Sequence, residues 1–292
     1  MRVTELKLML IGMLIACLWM PVMSKPKPKR YQVAACDWMM LKRQKLGEFA
    51  LAKQIGADGV ELDMGSLGKR VLFENQLRDP EKAALFRRTA DSLGVQVPSV
   101  AMSGFFAQNL ITRENYLELV HDCFKSMKVF GTKVAFLPLG GSGQEWQAAG
   151  ALHDEMVRRL RAIGELAVNE GVTVGLRTGE DAAYDKRLLK EIKSKGIKIY
   201  FNFQVAADAG RDICEELKRL GRKNIIQIHA SNTDGKNLRE DPEINMPAIK
   251  QTLDKMGWSG WLVIERSRDT RFVRDVKRNF GNNVAYLKEI FQ

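Results

Sequence analysis

From residue 31 onward two patterns of apolar and polar positions alternate. Short apolar runs occur at Tyr31–Cys36, Val60–Asp63, Val95–Val100, Lys133–Leu137, Val172–Leu176, Ile197–Phe201, Ile225–His229 and Trp261–Glu265. Several are apolar on both faces, as strands buried in a parallel sheet must be. Between them lie segments of helical period: Leu46–Ile55, Pro80–Leu93, Arg113–Phe130, Gln147–Glu170, Lys186–Ile192, Ala209–Leu220, Met246–Met256 and Arg271–Phe291. Gly56, Gly94, Gly131, Gly171, Gly221 and Gly257 each follow a helical segment, where a left-handed residue ends the helix before the next strand. Eight strand–helix units in one unbroken stretch predict a parallel, closed (β/α)₈ TIM barrel of the α/β class, in a single domain over residues 31–292. An open doubly wound sheet would want a glycine-rich turn after the first strand, and Cys36-Asp37-Trp38-Met39-Met40 offers none.

The first residues follow another pattern. Arg2 and Lys7 precede the nearly continuous apolar run Leu8–Trp19, and Pro21 and the small Ser24 follow it. This order predicts a signal peptide over residues 1–24 and an exported protein, in the periplasm or at the cell envelope. Leu14-Ile15-Ala16-Cys17 also resembles a lipoprotein processing site, with cleavage before Cys17 and a lipid anchor there as the only expected membrane attachment. Residues 25–30, Lys-Pro-Lys-Pro-Lys-Arg, read as a stiff basic linker.

Composition changes this picture little. The 292 residues are 45% hydrophobic and 28% charged, enough to bury a core without staples. The net charge of +11 is spread over many helical segments, the pattern of solvated faces rather than a nucleic-acid footprint. Cys17, Cys36, Cys123 and Cys214 are scattered with no CxxC spacing, so buried thiols are expected rather than disulfides or a zinc ribbon.

In such a barrel the chemistry gathers where strands end. Those ends carry Asp37-Trp38, Glu61 and Asp63, Ser99 to Phe106, Arg177-Thr178, Asn202, His229 to Asp234, and Glu265-Arg266. This is a set of polar and aromatic groups suited to a sugar. Glu180, Asp181 and Asp234 lie on loops near the mouth, and Phe105 and Phe106 are candidates for stacking or packing. His121 and His153 fall on helices away from it.

Gly56–Met64 (GADGVELDM), Gly171–Gly179 (GVTVGLRTG), Ile197–Phe203 (IKIYFNF), Ile225–Gly235 (IIQIHASNTDG) and Gly257–Ser267 (GWSGWLVIERS) resemble the second, fifth, sixth, seventh and eighth strands of the xylose-isomerase-like sugar isomerases and epimerases. The resemblance implies a divalent ion, held by glutamate, aspartate, histidine and glutamate at the ends of the fifth to eighth strands. The ion would polarise a sugar carbonyl while the two glutamates move a proton between adjacent carbons. On those positions this chain carries Arg177, Asn202, His229 and Glu265. The formal charge of the set falls from three negative charges to zero, and arginine offers no acceptor and no base. No metal is therefore expected, with a weakly held Mn²⁺ or Mg²⁺ as the alternative.

Two functions follow. One is a sugar or keto-sugar isomerase or epimerase, with Glu265 and His229 as catalytic residues and Arg177, Asn202, Glu61, Asp63, Trp38 and Arg266 binding a small carbohydrate. The other is a non-catalytic barrel that binds a carbohydrate or a partner after losing the metal site. A zinc-dependent nuclease on this fold needs a richer histidine cluster than three histidines, two of them on helices, can supply. Nucleic acid is not an expected partner.

Overall fold

The computed structural model describes residues 29–141 and 145–292. The expected signal peptide, Cys17 and residues 25–28 of the expected basic linker lie outside the described residues. Eight parallel strands close into a barrel in sequence order: β1 (Tyr31–Cys36), β2 (Gly59–Asp63), β3 (Val100–Ala101), β4 (Val134–Pro138), β5 (Thr173–Arg177), β6 (Ile197–Asn202), β7 (Ile225–His229) and β8 (Gly260–Ile264). The sheet closes through five consecutive registered pairs between β1 and β8, from Tyr31 opposite Gly260 to Ala35 opposite Ile264.

Among the described residues nine α-helices accompany the strands: α1 (Gly47–Gln54), α2 (Pro80–Leu93), α3 (Tyr116–Phe130), α4 (Ala151–Asn169), α5 (Ala182–Ile192), α6 (Phe203–Asp208), α7 (Ile213–Leu220), α8 (Met246–Met256) and α9 (Val276–Phe291). The main core lies between the barrel and these helices. A second, smaller cluster of Ala34, Cys36, Trp38, Ala101, Phe136, Tyr200 and Val263 fills the barrel itself. All six glycines expected to end helices have positive φ, between 64° and 81°.

The departures from expectation have local causes. The third strand, expected over Val95–Val100, keeps a single bridge from Gln96 to Gly59 and then pairs only at Val100 and Ala101. Pro98 has no N–H to give the ladder and interrupts it. The segment expected as one helix over Ala209–Leu220 is interrupted at Gly210, where φ is 64°, and Asp212 caps α7 by accepting from the Cys214 and Glu215 N–H groups. α5 begins four residues early because Asp181 caps it through the Tyr184 N–H.

Inside the barrel, β5 presents Gly175 where a larger residue could not fit. A Cβ there would lie 3.0 Å from the Tyr200 Cβ and 2.9 Å from the Ile226 Cγ2. The missing side chain is the space Tyr200 occupies.

Candidate functional site

Alternation along each strand sends every second side chain into the barrel. Glu61, Tyr200, Gln227 and His229 form one interior layer with Ser99. Arg177, Asn202 and Glu265 lie just above it, where β5 and β6 end and β8 has just ended. The four positions singled out by the family resemblance thus converge, and Glu61 joins them.

The lower layer is a closed hydrogen-bond network. Ser99 Oγ and the Tyr200 hydroxyl donate to Glu61 Oε2 at 2.5 and 2.6 Å, and His229 Nε2 lies 2.7 Å from Glu61 Oε1. Gln227 Nε2 donates to both Ser99 Oγ and the Tyr200 hydroxyl at 2.8 Å, which turns both O–H groups toward the carboxylate. None of these side chains has appreciable exposure. Burial, and then the Glu61 charge, push the Tyr200 phenol well above its ordinary range and keep it a donor. With its proton on Nε2, His229 presents Nδ1, which has no hydrogen-bond partner, to Glu265 Oε2 at 3.6 Å. Phe136 and Tyr200 enclose the imidazole, with ring centroids 4.7 and 4.3 Å away, and Trp38 meets it edge-on at 6.4 Å.

The upper layer is a compensated carboxylate. Arg177 Nη1 donates to Glu265 Oε2 at 3.1 Å, and Asn202 Nδ2 donates to the same oxygen at 3.3 Å. Ser231 Oγ accepts the Glu265 and Arg266 N–H groups at 2.9 and 3.1 Å and fixes the chain as it leaves β8. The Arg177 guanidinium also lies 5.1 Å from the centroid of Phe106, a cation–π contact. Arg177, Asn202, Tyr200, Glu180 and Arg211 line a narrow cleft of about 20 Å³, room for about one water.

The family's metal does not fit these residues. Only His229 and Glu265 keep the ligand types of the family pattern; the neutral amide oxygen of Asn202 accepts the Gln204 N–H, and a guanidinium with no lone pair sits 3.1 Å from the glutamate. Among the described residues no group of three or more His, Cys, Asp or Glu side chains is arranged to hold an ion. Two of the three loop carboxylates are otherwise engaged, while Glu180 lines the cleft. Asp181 caps α5, and Asp234 accepts from Arg268, whose guanidinium holds that carboxyl below its ordinary range against the opposing effect of burial.

Other sequence candidates lie outside this cluster. Asp63 is fully buried and accepts from the Ser103 and Gly65 N–H groups, with Arg43 Nε at 2.9 Å. Arg266 is exposed and reaches Asp234 only at 4.0 Å. His121 and His153 lie on α3 and α4, pairing with Glu170 and Glu191. Tyr200 and Gln227 escaped the sequence reading, which searched strand ends. Each lies two residues before a recognised position, Asn202 and His229, so the same alternation could have found them.

A model of the xylose isomerase-like TIM barrel family matches residues 49–290. Among solved structures, a xylose isomerase domain protein from Planctomyces limnophilus is 17% identical, with a TM-score of 0.67 over 89% of this chain and 96% of that one. A D-psicose 3-epimerase from Clostridium cellulolyticum H10, solved with D-tagatose, is 11% identical, with a TM-score of 0.70 over 89% and 99%. A 3-keto-D-glucoside 4-epimerase from E. coli is 15% identical, with a TM-score of 0.67 over 90% and 100%. At such identities these likenesses establish the fold. No curated protein sequence matches the chain. The family match spans most of the chain and the structure is a closed eight-stranded parallel barrel, so the chain belongs to the xylose isomerase-like TIM barrel family.

Proposed function

We propose that this protein is a sugar or keto-sugar isomerase in which the guanidinium of Arg177 provides the fixed positive charge that a metal ion supplies in the family pattern. The observation that carries this reading is the Arg177–Glu265 pair at 3.1 Å, with Asn202 on the same carboxylate oxygen. It joins one base and two N–H donors at the ends of β5, β6 and β8.

The arrangement suits a one-base proton shift. The Glu265 carboxylate removes the proton from the carbon beside a sugar carbonyl. The C–H electron pair forms the carbon–carbon double bond of an enediol, and the carbonyl π pair moves to its oxygen, which Arg177 and Asn202 stabilise by donating N–H groups. Return of the proton from Glu265 to the former carbonyl carbon, with transfer of the neighbouring hydroxyl proton to the enediol oxygen, completes the aldose–ketose exchange. A two-base epimerisation needs a second carboxylate on the opposite face. Glu61 is the other carboxylate at hand, and it already accepts from Ser99 and Tyr200 beside His229. Glu265 and His229 are almost wholly buried, so entry of a sugar requires the side chains around them, Trp38 beside His229 among them, to move.

A second reading, a non-catalytic carbohydrate-binding barrel, draws on the same pair, since Glu265 is only 3% exposed and its charge is already matched. Incubation with aldoses and ketoses in D₂O separates the two. The isomerase reading expects deuterium at the carbon next to the carbonyl, unaffected by chelator and abolished in Glu265→Gln. Saturable sugar binding without any exchange would establish the binding barrel instead.

A further inference from the structure

The loop after β1 carries Trp38 to the mouth, and an unusual set of groups anchors it. Asp37, immediately before Trp38, is fully buried, as are Glu48 in the first turn of α1 and Asp63 at the end of β2. Asp37 Oδ2 accepts the Gln44 N–H at 3.1 Å, while Asp37 Oδ1 and both Glu48 carboxyl oxygens have no hydrogen-bond donor. The Asp37 and Glu48 carboxyls nevertheless face each other within hydrogen-bond reach. Asp37 Oδ1 and the Glu48 carboxyl, buried oxygens without a donor, are satisfied by a proton between them.

We infer that Asp37 and Glu48 share one proton, and that this carboxylic acid–carboxylate pair is the catch that holds the 37–46 loop, and with it Trp38, over the mouth.

The surroundings support a catch rather than an inert core contact. Gln44 Nε2 donates to the Asp63 carbonyl at 2.6 Å, and Gln44 exchanges further bonds with Gln76 at 2.7 and 2.8 Å. Arg43 reaches Asp63 at 2.9 Å and Ser103 at 3.3 Å. Against these bonds the loop holds two non-glycine residues in left-handed conformation, Leu41 at φ 58° and Gln44 at φ 52°, and Leu41 is 62% exposed. Such residues persist only while their surroundings hold them. The ionisable groups around the pair are Asp63 on β2, Arg43 in the loop, and the thiols of Cys36 on β1 and Cys123 on α3, both raised by burial. One arginine therefore stands against three carboxyls. Burial first, and then neighbouring carboxylates, raise Asp37 to about 7 and Glu48 well above its ordinary range. The two protons of such a pair leave in separate steps, and the second is held well above the ordinary carboxylate range. Its loss places two facing charges in a buried site, and the loop must open to hydrate them.

This inference rests on the mouth being a ligand site only for its biological use; the catch itself is tested without ligand. Hydrogen exchange of the full chain, read by mass spectrometry and corrected for intrinsic rates, is followed from pH 6 to pH 10. Protection of the 37–46 segment should fall at least tenfold at the alkaline end while strand peptides from β5 to β8 keep theirs. Glu48→Gln replaces the shared proton by an amide donor and should remain protected throughout; Glu48→Ala should be open at every pH. Infrared difference spectra of the wild type should show a protonated carboxylic acid at pH 8 that is missing from Glu48→Gln, a reading that stands even if the alanine variant fails to fold. Unchanged loop protection to pH 10, an alkaline opening that persists in Glu48→Gln, or no protonated acid at pH 8 would each overturn the shared proton.

Discussion

The two sides of the barrel mouth solve the same electrostatic problem in opposite ways. At the ends of β5, β6 and β8, the buried carboxylate of Glu265 is matched by the cation Arg177 and the amide of Asn202. On the side built by β1, α1 and β2, Asp37, Glu48 and Asp63 are buried around Arg43 alone, so protons must make up the difference. A buried charge costs several kcal/mol unless it is paired or neutralised. Compensation by a guanidinium holds at any working pH, whereas compensation by protons depends on pH. One side should therefore be constant and the other responsive, and a static charge count would miss the distinction.

The comparison breaks most readily at Arg177. Arg177→Ala leaves Glu265 buried without its cation and should destabilise the fold by about 3–5 kcal/mol, measured by urea unfolding at pH 7. A loss below about 1 kcal/mol would show that water already reaches Glu265 and that the pair is not shielded. The companion variant, Arg177→Glu with Asn202→Asp, restores the family's ligand types. It should bind Mn²⁺ stoichiometrically in calorimetry, where the wild type binds it weakly or not at all. Tight binding by the wild type would mean that other carboxylates had taken over as ligands.

A smaller effect is expected one layer down. Tyr200→Phe removes a donor to Glu61 and an acceptor of Gln227, and should cost about 1–3 kcal/mol. Because Gly175 leaves room for the ring, the substitution should not disturb packing, and Gly175→Ala should not rescue it. An unchanged unfolding midpoint would show that water replaces the hydroxyl in the network.

The gentlest test is the pH slope. Burial is the first cause in raising Asp37 and Asp185 to about 7 and Asp63 to about 6. Folded carboxyls with raised values bind protons that the unfolded chain, near pH 4, has already released, so folding is favoured below that point. That stability is lost as pH rises from about 4 to about 7, by about 1.4 kcal/mol per pH unit for each proton of difference. Carboxyls lowered by arginines, such as Glu155 at about 2, act below this window and in the opposite sense. Thermal midpoints measured across the window should decline with pH, and Asp185→Asn should shallow the decline. A midpoint rising steadily toward neutrality would contradict the assignment of these buried acids.

The sequence by itself determined the order of strands and helices, the closed barrel and which residues stand at the strand ends. Those features follow from side-chain alternation, helix-ending glycines and the chain's local periodicity, all readable within a few residues. The same reading found Arg177 and Asn202 where the family pattern has carboxylates, because a motif keeps its register along one strand. Only the tertiary structure decided which of these residues meet. Tyr200 and Glu61 are 139 residues apart, and their hydrogen bond exists because closure of the sheet brings β6 across the barrel from β2. Asp63, one strand turn beyond Glu61, is claimed by Arg43 and Ser103 instead of the mouth. The order of residues places Asp37 at a strand end but does not show that it and Glu48 are buried without a cation, since a carboxyl's charge state is set by burial and by its neighbours in space. Periodicity fixes the direction in which a side chain points; packing fixes what it finds there.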